Sequence, residues 1–552
     1  MNAISEHLVI APIVVPLFAA AALLLFDERA RVPRVTISLL SAFGTTAIAI
    51  MLLLRADAIP VGPGGAVAQV YPLGNWPAPF GIVLVLDRLS ALMLVLTGVL
   101  ACASLVFSLA RWDRAGPYFH ALFQLLLMGL NGAFLTGDLF NLFVFFELLL
   151  AASYGLLLHG TGLTRVRAGL QYIAVNLAAS SLFLIGVSLI YGVTGTLNMA
   201  DLAQRIPAIP DDNRMLLEAG AAILGIAFLV KAGMWPLGFW LPTAYAAATP
   251  PVASVFTIMT KVGIYVVLRL SLLLFGADAG ASAHFGATWL LYGGIMTIVF
   301  GLIGVLAAQD TSRMIGFALL VSSGTLLAAV GFGARPVVGG ALYYLVSSTL
   351  AIGAFFLLTE LVERGRTAGA DMLAVTMEAF GDGAEEVSEE EEEIGTATPA
   401  TLAVLGLSFL ACALLIAGLP PLSGFIAKFS LLTAMLNPAN LANAGGSATA
   451  VSTWVLLVVI VLSGLATIIA LTRAGMRTFW SPIERTVPRV RAIELLPVAA
   501  LLLFCLTITV QAGPVMRFMQ DTARSLELAH DGPRGILPPV ERPAPPSTEA
   551  QP

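Results

Sequence analysis

Runs of about twenty apolar residues recur along almost the whole chain. A helix of about 20 apolar residues crosses a hydrocarbon core about 30 Å thick, and a lone strand cannot, because its backbone polar groups would lack partners there. Of the 552 residues, 58% are hydrophobic and only 11% are charged, a balance far from that of soluble domains. The sequence therefore predicts an all-α polytopic membrane protein rather than several soluble domains.

Fourteen of these apolar runs are long enough to be membrane spans. Their approximate bounds are 8–26, 35–54, 87–110, 118–136, 138–159, 168–193, 217–247, 251–275, 286–308, 313–333, 336–362, 400–436, 451–474 and 494–514. The first run lacks a basic segment before it and a cleavage site after it, so we expect a retained span rather than a signal peptide. An even number of crossings predicts that both termini lie on the same side of the membrane.

Arginine positions predict which side that is. Arginines cluster in the connections after odd-numbered spans, whereas the connections after even-numbered spans contain only Arg55, Arg205, Arg214 and Arg335. Connections rich in Lys and Arg usually face the cytoplasm. We therefore expect a protein of the cell's inner (cytoplasmic) membrane, with both termini on the extracytoplasmic side.

The spans and the segments between them suggest four parts. These are residues 1–117 with spans 1–3, 118–275 with spans 4–8, 286–474 with spans 9–13, and 494–552 with span 14 and a Pro-rich tail. The tail after residue 514 is predicted to be extended or mobile. Residues 367–399 contain GDGAEEVSEEEEEIG, which is too polar to bury a core and predicts a disordered cytoplasmic linker. The Gly- and Pro-rich segment 57–86 predicts a short hairpin outside the membrane.

Four ionisable side chains lie deep inside the predicted spans. Lys231, Lys261 and Lys428 are the chain's three lysines, and each interrupts an apolar run, while Glu147 follows Asp138 by nine residues, about 14 Å along a helix. A charge at the centre of a bilayer costs about 2.5–3.5 kcal/mol on insertion scales. This cost predicts that the four groups pair with one another or face water inside the bundle.

The choice of lysine narrows their role. Arginine stays protonated in practically any protein site, whereas a buried lysine can release its proton. Because the interior contains lysine and the connections contain arginine, the pattern favours proton carriers. The alternative is a fixed ion pair between Glu147 and Lys231 that only holds helices together, but three lysines and one glutamate cannot all pair.

Prolines interrupt two of the runs that carry lysine. Pro236 removes a helical N–H in the seventh run, and Pro420 and Pro421 free the carbonyls of Ile416 and Ala417 in the twelfth. Irregular backbone is tolerated at this depth only where it lines a polar cavity. Two broken helices five spans apart predict inverted five-helix repeats, spans 4–8 and spans 9–13, with the ion path between them.

Motifs for other chemistry are missing from the sequence. The three cysteines are far apart, and the chain has no Cys/His metal spacing, GxGxxG, Walker loop or HExxH motif. We therefore expect no cofactor, no metal site and no nucleic-acid partner.

The segments around the buried charges resemble a known family. TGDLFNLFVFFELL with Glu147, LVKAGMWPLGFWLPTAYAAATPPVAS with Lys231, the span of Lys261, and GLPPLSGFIAKF with Lys428 are similar to the antiporter-like subunits shared by respiratory complex I and Mrp-type multisubunit cation/proton antiporters. The length of the chain and LTRAGMRTFW at 471–480 most resemble the D-type subunits of Mrp (Pha-type) antiporters.

The resemblance implies a transporter subunit rather than an enzyme. Its implied partners are the other antiporter subunits, protons, Na⁺ or K⁺, and the lipid bilayer. It also implies that Glu147 pairs reversibly with Lys231, that Lys261 is a central proton relay and that Lys428 is the exit. Relatives often have histidine in the eleventh span, where this chain has Ser347 and Ser348, so we expect these serines to hold water instead.

Other interpretations remain open at this stage. Within the family, the chain is alternatively a proton-pumping subunit of complex I or of a membrane-bound hydrogenase; outside it, an organic-solute carrier or a scaffold. Asp138 either guides ions towards Glu147 or caps its helix. Asp87 and Arg88 suggest an ion pair at the membrane interface, and Arg269 is expected to extend to the outer surface.

Overall fold

The computed structural model describes residues 7–60, 69–76, 81–364, 400–437, 450–479 and 490–527. Within these ranges the fold is nearly all helical, with a single two-stranded hairpin. The predicted acidic linker at 367–399 and the last part of the Pro-rich tail lie outside the described residues.

Each of the fourteen predicted spans corresponds to a helix or to a pair of helices. In chain order the helices are α1 Ala11–Leu24, α2 Arg31–Asp57, α3 Arg88–Ser108, α4 Phe119–Leu135, α5 Leu139–Leu158, α6 Leu163–Thr194, α7 Met199–Arg205, α8 Asp211–Ala232, α9 Leu241–Ala247, α10 Pro250–Leu273, α11 Ala287–Ala307, α12 Thr311–Phe332, α13 Arg335–Glu363, α14 Ala400–Ala417, α15 Ser423–Leu436, α16 Ala450–Phe479, α17 Ala492–Val510 and α18 Ala512–Glu527. In the described part of the chain, 12 helices are long and apolar enough to cross a membrane, and α1, α4 and α15 are shorter apolar helices. The chain is a multi-pass membrane protein.

Both predicted helix breaks are confirmed, and they have the same local geometry. Helix α8 ends before Gly233 (φ 77°) and α14 ends before Gly418 (φ 78°). This left-handed backbone is readily adopted only by glycine. In each break the next N–H donates to the carbonyl five residues earlier, from Met234 to Leu229 and from Leu419 to Leu414, both at 3.0 Å. Pro236, Pro420 and Pro421 lie in the turns that follow, and the chain then resumes as α9 and α15.

Two helices form the centre of the bundle. The most apolar stretches of α10 and α13 are entirely buried, whereas only 33%, 33% and 28% of those of α2, α14 and α17 are buried, as expected for helices that face lipid. The central helices carry Lys261 and the pair Ser347 and Ser348. Groups that the sequence analysis singled out therefore lie where other helices surround them on every side.

The hairpin predicted within residues 57–86 is confirmed for its described strands. Strand β1 (Gln69–Pro72) pairs antiparallel with β2 (Val83–Leu86), with Gln69 opposite Leu86 and Pro72 opposite Val83. A further bridge joins Leu84 to Thr136, and another joins Asp138 to Asn198. These pairings fix the start of α5, the helix that carries Glu147.

The expectations for Asp87, Arg88 and Arg269 were wrong. Arg269 is 7% exposed and donates from Nη2 to Asp87 Oδ2 at 2.7 Å, and its guanidinium lies 5.0 Å from the ring centroid of Tyr265. Arg88 instead lies 3.5 Å from Asp57 Oδ1. The partner of Arg269 is 182 residues away in the chain, so hydropathy around Arg269 gave no sign that an interior carboxylate was within reach.

The tail prediction also needs a correction, because the chain remains helical beyond residue 514. Helix α18 (Ala512–Glu527) buries Met519, Ala523 and Leu526, residues spaced three or four apart on one helical face. It packs beside α13, where Gln520 Nε2 donates to the carbonyl of Pro336 at 3.3 Å. The prolines that suggested an extended tail come later in the sequence.

The buried pair between Asp87 and Arg269 generates a stability prediction. Removing one partner of a buried ion pair leaves the other charge unpaired and costs about 3–5 kcal/mol. We expect Asp87→Asn, which retains a side chain able to cap α3, to lower the thermal unfolding temperature in detergent strongly. The double variant Asp87→Asn/Arg269→Gln should recover most of the loss. Asp57→Asn is the matched control, since Asp57 is 58% exposed and exposed pairs contribute about 0–1 kcal/mol. Arg269→Gln is measured as the second single variant. If the double variant lost as much stability as the sum of the two single variants, the assignment would be contradicted.

Candidate functional site

Lys231 lies one residue before the end of α8 and is fully buried. Its Nζ donates to the hydroxyl of Tyr172 at 3.1 Å and to Oδ1 of Asn176 at 3.4 Å. The same amine lies 5.2 Å from the ring centroid of Tyr172 and 6.0 Å from that of Phe146, within the range of cation–π attraction. The surroundings of this amine are thus polar and aromatic, and its hydrogen-bond partners are uncharged.

Glu147 is half-buried on α5 and accepts a hydrogen bond from the hydroxyl of Ser180. In the part of the chain that the structure describes, no ion pair connects Glu147 with Lys231. Each group instead contacts the same third helix, α6. The structure therefore records the two groups separated, with the polar side chains of α6 bonded to both.

Those α6 side chains were missed by the sequence analysis. Tyr172, Asn176 and Ser180 are spaced four residues apart, which aligns them on one face of the helix. We call these three residues the α6 stripe. The spacing is visible in QYIAVNLAASS at 171–181 and could have been found by searching each apolar run for polar residues at helical period.

Lys261 is near the middle of the central helix α10 and is fully buried. Its Nζ donates to Ser322 Oγ on α12 at 2.8 Å, and that hydroxyl lies 2.9 Å from Ser348 Oγ on α13. A Cβ at Gly263, two residues later, would lie 2.7 Å from the carbonyl oxygen of Phe228 and 2.8 Å from the nitrogen of Ala232. Helix α10 therefore touches the very end of α8 that carries Lys231.

A small polar cavity lies beyond Lys261. Its lining includes the hydroxyl-bearing residues Ser322, Tyr344, Ser347, Ser348 and Thr467, together with Ala318, Val321, Ile352, Leu415, Ile416 and Gly424. The space open to the centre of a water molecule is about 10 Å³, close to what a single water needs. Next to the cavity, Ser347 Oγ and Ser423 Oγ lie 2.8 Å apart. The cavity connects the serine partner of Lys261 with the break between α14 and α15.

Lys428, on α15, turns back onto the helix that the break interrupts. Its Nζ donates to the carbonyl of Ala417 at 2.8 Å and to that of Ile416 at 3.4 Å. These are the two carbonyls that the proline pair was predicted to free. The last carbonyls of a helix lack intrahelical partners and attract cations, so the lysine caps α14 across the break.

Asp138 is the N-cap of α5. Its Oδ1 accepts hydrogen bonds from the backbone N–H of Phe140 at 2.8 Å and of Asn141 at 2.9 Å. This geometry corresponds to the capping alternative. Glu147 is nine residues further along the same helix.

These features define the class: a polytopic membrane protein in which, among the described residues, three buried lysine amines and the half-buried carboxylate of Glu147 lie near two helix breaks. A family model described as "NADH:quinone oxidoreductase/Mrp antiporter, TM" matches residues 136–452, and the chain belongs to this family. The matched region contains Glu147 and all three lysines, and the resemblance inferred from their motifs is confirmed.

Relatives that match almost the whole chain agree with this assignment, and a solved structure shares the fold. A protein of Rhizobium meliloti, named as the D subunit of a probable K⁺/H⁺ antiporter, is 63% identical over 525 residues, which are 94% of this chain and 96% of the relative. The D subunit of a Na⁺/H⁺ antiporter of Alkalihalophilus pseudofirmus is 32% identical over 94% of this chain and 97% of its own length. A chain of the Mrp complex from Dietzia sp. DQ12-45-1b has the same fold, with a TM-score of 0.79, 24% identity, and coverage of 95% and 98% of the two chains.

The cap formed by Lys428 generates a prediction at Gly418. A Cβ at this position would lie 2.6 Å from Lys428 Cδ and 3.2 Å from its Nζ, so Gly418→Ala should push the amine away from the two carbonyls. Gly333→Ala is the matched control, because Gly333 has a similar φ of 76° but no contact closer than 4.0 Å. Both variants carry a backbone strain of about 1–2 kcal/mol. We expect only Gly418→Ala to reduce proton flux in assembled complexes, and equal flux in the two variants would contradict the assignment.

Proposed function

We propose that this chain is the proton-translocating subunit of a multisubunit Na⁺ or K⁺/H⁺ antiporter, and that protons move along Glu147, Lys231, Lys261 and Lys428. The observation that carries the proposal is the bonding of the three buried amines. In the described residues each donates to hydroxyls, an amide or backbone carbonyls, and none to a carboxylate. A lysine in such surroundings can take up and release a proton, which arginine would not do.

The relatives favour the antiporter over a redox-driven pump. Two relatives that match 94% of this chain are named K⁺/H⁺ and Na⁺/H⁺ antiporter subunits, so the chain is a transporter subunit and not an enzyme by itself. Its partners are the other subunits of the antiporter complex. The arginine distribution supports the cytoplasmic membrane as its location, with both termini outside.

The first step of the mechanism takes place at Lys231. When Lys231 carries a proton, Glu147 attracts it, and when the proton leaves, the attraction disappears. A proton that arrives on Lys261 repels a proton on Lys231, because α10 touches the end of α8. The pair with Glu147 therefore opens and closes in step with the charge on Lys261.

The second step carries the proton from Lys261 to Lys428. Ser322 and Ser348 form a hydroxyl pair beside Lys261, and a water in the adjoining cavity completes a chain of donors and acceptors towards the broken helix. Lys261 gives its proton to this chain, and Lys428 accepts one at the other end. Lys428 moves without loss of helical hydrogen bonds, because Pro420 and Pro421 have already interrupted the helix at this point.

The test is cation-induced proton flux in everted vesicles that contain the complete complex. Lys231→Ala and Glu147→Gln should abolish flux while assembly stays intact, because each removes one member of the opening pair. Glu218→Gln is the matched control: Glu218 lies on α8, the helix of Lys231, but its carboxylate accepts from Ser282 at 2.9 Å, away from the amines.

Two outcomes would contradict the proposal. Flux retained in fully assembled Lys231→Ala and Glu147→Gln complexes would mean that these charges only hold helices together. Uptake of a labelled organic solute by the isolated chain would support the solute-carrier interpretation instead.

The serine chain makes a separate prediction. Ser322→Ala and Ser348→Ala each remove one hydroxyl. A hydrogen bond contributes a net free energy of about 1 kcal/mol, which corresponds to a roughly fivefold change in rate. Each variant should therefore slow the proton flux about fivefold. Ser408→Ala on α14 is the control, because Ser408 is half-buried, lies outside the serine chain, and its hydroxyl bonds to the carbonyl of Val404 in its own helix. Unchanged flux in both interior variants would rule out the serine chain as the proton route.

A further inference from the structure

The α6 stripe contacts both ionisable groups at the entrance of the proposed path. Tyr172 and Asn176 accept from Lys231, and one turn later Ser180 donates to Glu147. Helix α6 thus supplies uncharged hydrogen-bond partners both to the amine of Lys231 and to the carboxylate of Glu147.

The hydrogen bonds around Tyr172 run in one direction. Its hydroxyl accepts from Lys231 and lies 2.8 Å from Ser153 Oγ, which itself donates to the carbonyl of Leu150 at 2.7 Å. With the Ser153 hydroxyl committed to that carbonyl, the Tyr172 hydroxyl donates to Ser153 and presents a lone pair to Lys231. The tyrosine is therefore held as an acceptor for the amine.

Asn176 is also held as an acceptor. Its Nδ2 donates to the backbone carbonyl of Tyr172 at 2.8 Å, which turns Oδ1 towards Lys231. The amide carries a dipole but no charge, so it stabilises an ammonium group less than a carboxylate would. An aspartate at this position would give Lys231 a permanent counter-charge.

The geometry points to the α6 stripe as the positioning element that competes with the pair between Glu147 and Lys231. Asn176 and Tyr172 offer Lys231 a neutral resting site, and Ser180 offers one to Glu147. The two ionisable groups leave these sites to meet each other and return to them when the pair opens. This inference rests on the proposed function, since it assigns the open state of the same pair.

The consequence is a narrow balance between two arrangements. If the α6 stripe bound Lys231 more weakly, the pair between Glu147 and Lys231 would stay closed. If the stripe carried a negative charge, Lys231 would keep its proton. The other titratable groups close to Tyr172 are Tyr154 on α5 and Tyr245 near Trp240, and Lys261 lies on the helix that touches the end of α8. In the described residues around Lys231, Glu147 is the carboxylate that acts on the amine.

The experiment measures the pH profile of cation-induced proton flux in everted vesicles with the complete complex at equal assembly. Asn176→Asp, which keeps the size of the side chain, should move the profile towards alkaline pH by about 1 unit or more, since an adjacent opposite charge favours the charged form by about 1–3 units. Asn176→Leu and Ser180→Ala should move it in the same direction by less, because they favour the closed pair. Ser181→Ala is the control: it adjoins Ser180 but is exposed, and its hydroxyl bonds only to the carbonyl of Leu177.

A merely structural role would scale the flux of these variants without moving the profile. The inference is overturned if Asn176→Asp leaves the profile in place or moves it towards acid pH. If Asn176→Asp does not assemble, Tyr172→Phe decides the matter, because it keeps the ring and removes the hydroxyl that accepts from Lys231 and donates to Ser153. A profile moved towards alkaline pH supports the inference, and an unmoved profile overturns it. Failure of the proposed function has a different signature, which is flux retained in Lys231→Ala or Glu147→Gln.

Discussion

The rest of the structure depends on how the bundle buries the amines of three lysines. Among the described residues, none of these amines is bonded to a carboxylate. A buried charge without partners is costly in a bilayer, and each lysine meets this cost with a different set of neutral dipoles. Lys231 has a phenol, an amide and two aromatic faces, Lys261 has a serine hydroxyl, and Lys428 has two backbone carbonyls. Neutral partners stabilise the ammonium without fixing the proton on it, which a bonded carboxylate would do.

The two helix breaks share one geometry but serve their lysines differently. In the first break Lys231 belongs to the helix that ends, so its amine points away from the break and into the α6 stripe. In the second break Lys428 belongs to the helix that begins, and it reaches back to cap the helix that ended. This difference corresponds to the order in the sequence, where Lys231 precedes Pro236 and Lys428 follows Pro420 and Pro421.

Features coded by neighbouring residues could be predicted, and features that join distant segments could not. The spans and both breaks follow from apolar runs and from local Gly and Pro chemistry. The separation of Glu147 from Lys231 depends on α6, and the partner of Lys261 is 61 residues away. Arg269 illustrates the limit best: its surroundings in the sequence suggest a residue that reaches the surface, but the fold brings Asp87 to it in the interior. Pairing across the bundle is decided by tertiary packing, which hydropathy does not contain.

Lys261 lies between the two helix breaks. On one side its helix touches the end of α8, and on the other its amine bonds to the serines that lead to the second break. Close contacts also limit movement between α6 and α8 and between α11 and α12: a Cβ at Gly186 would lie 2.6 Å from the nitrogen of Leu224, and one at Gly294 would lie 2.5 Å from that of Ala328. Helices packed through glycine backbones cannot slide far without a clash. Under the proposed function, coupling between the two helix breaks comes from short movements of lysine side chains between neutral partners, and a charge on Lys261 is in the right place to drive them.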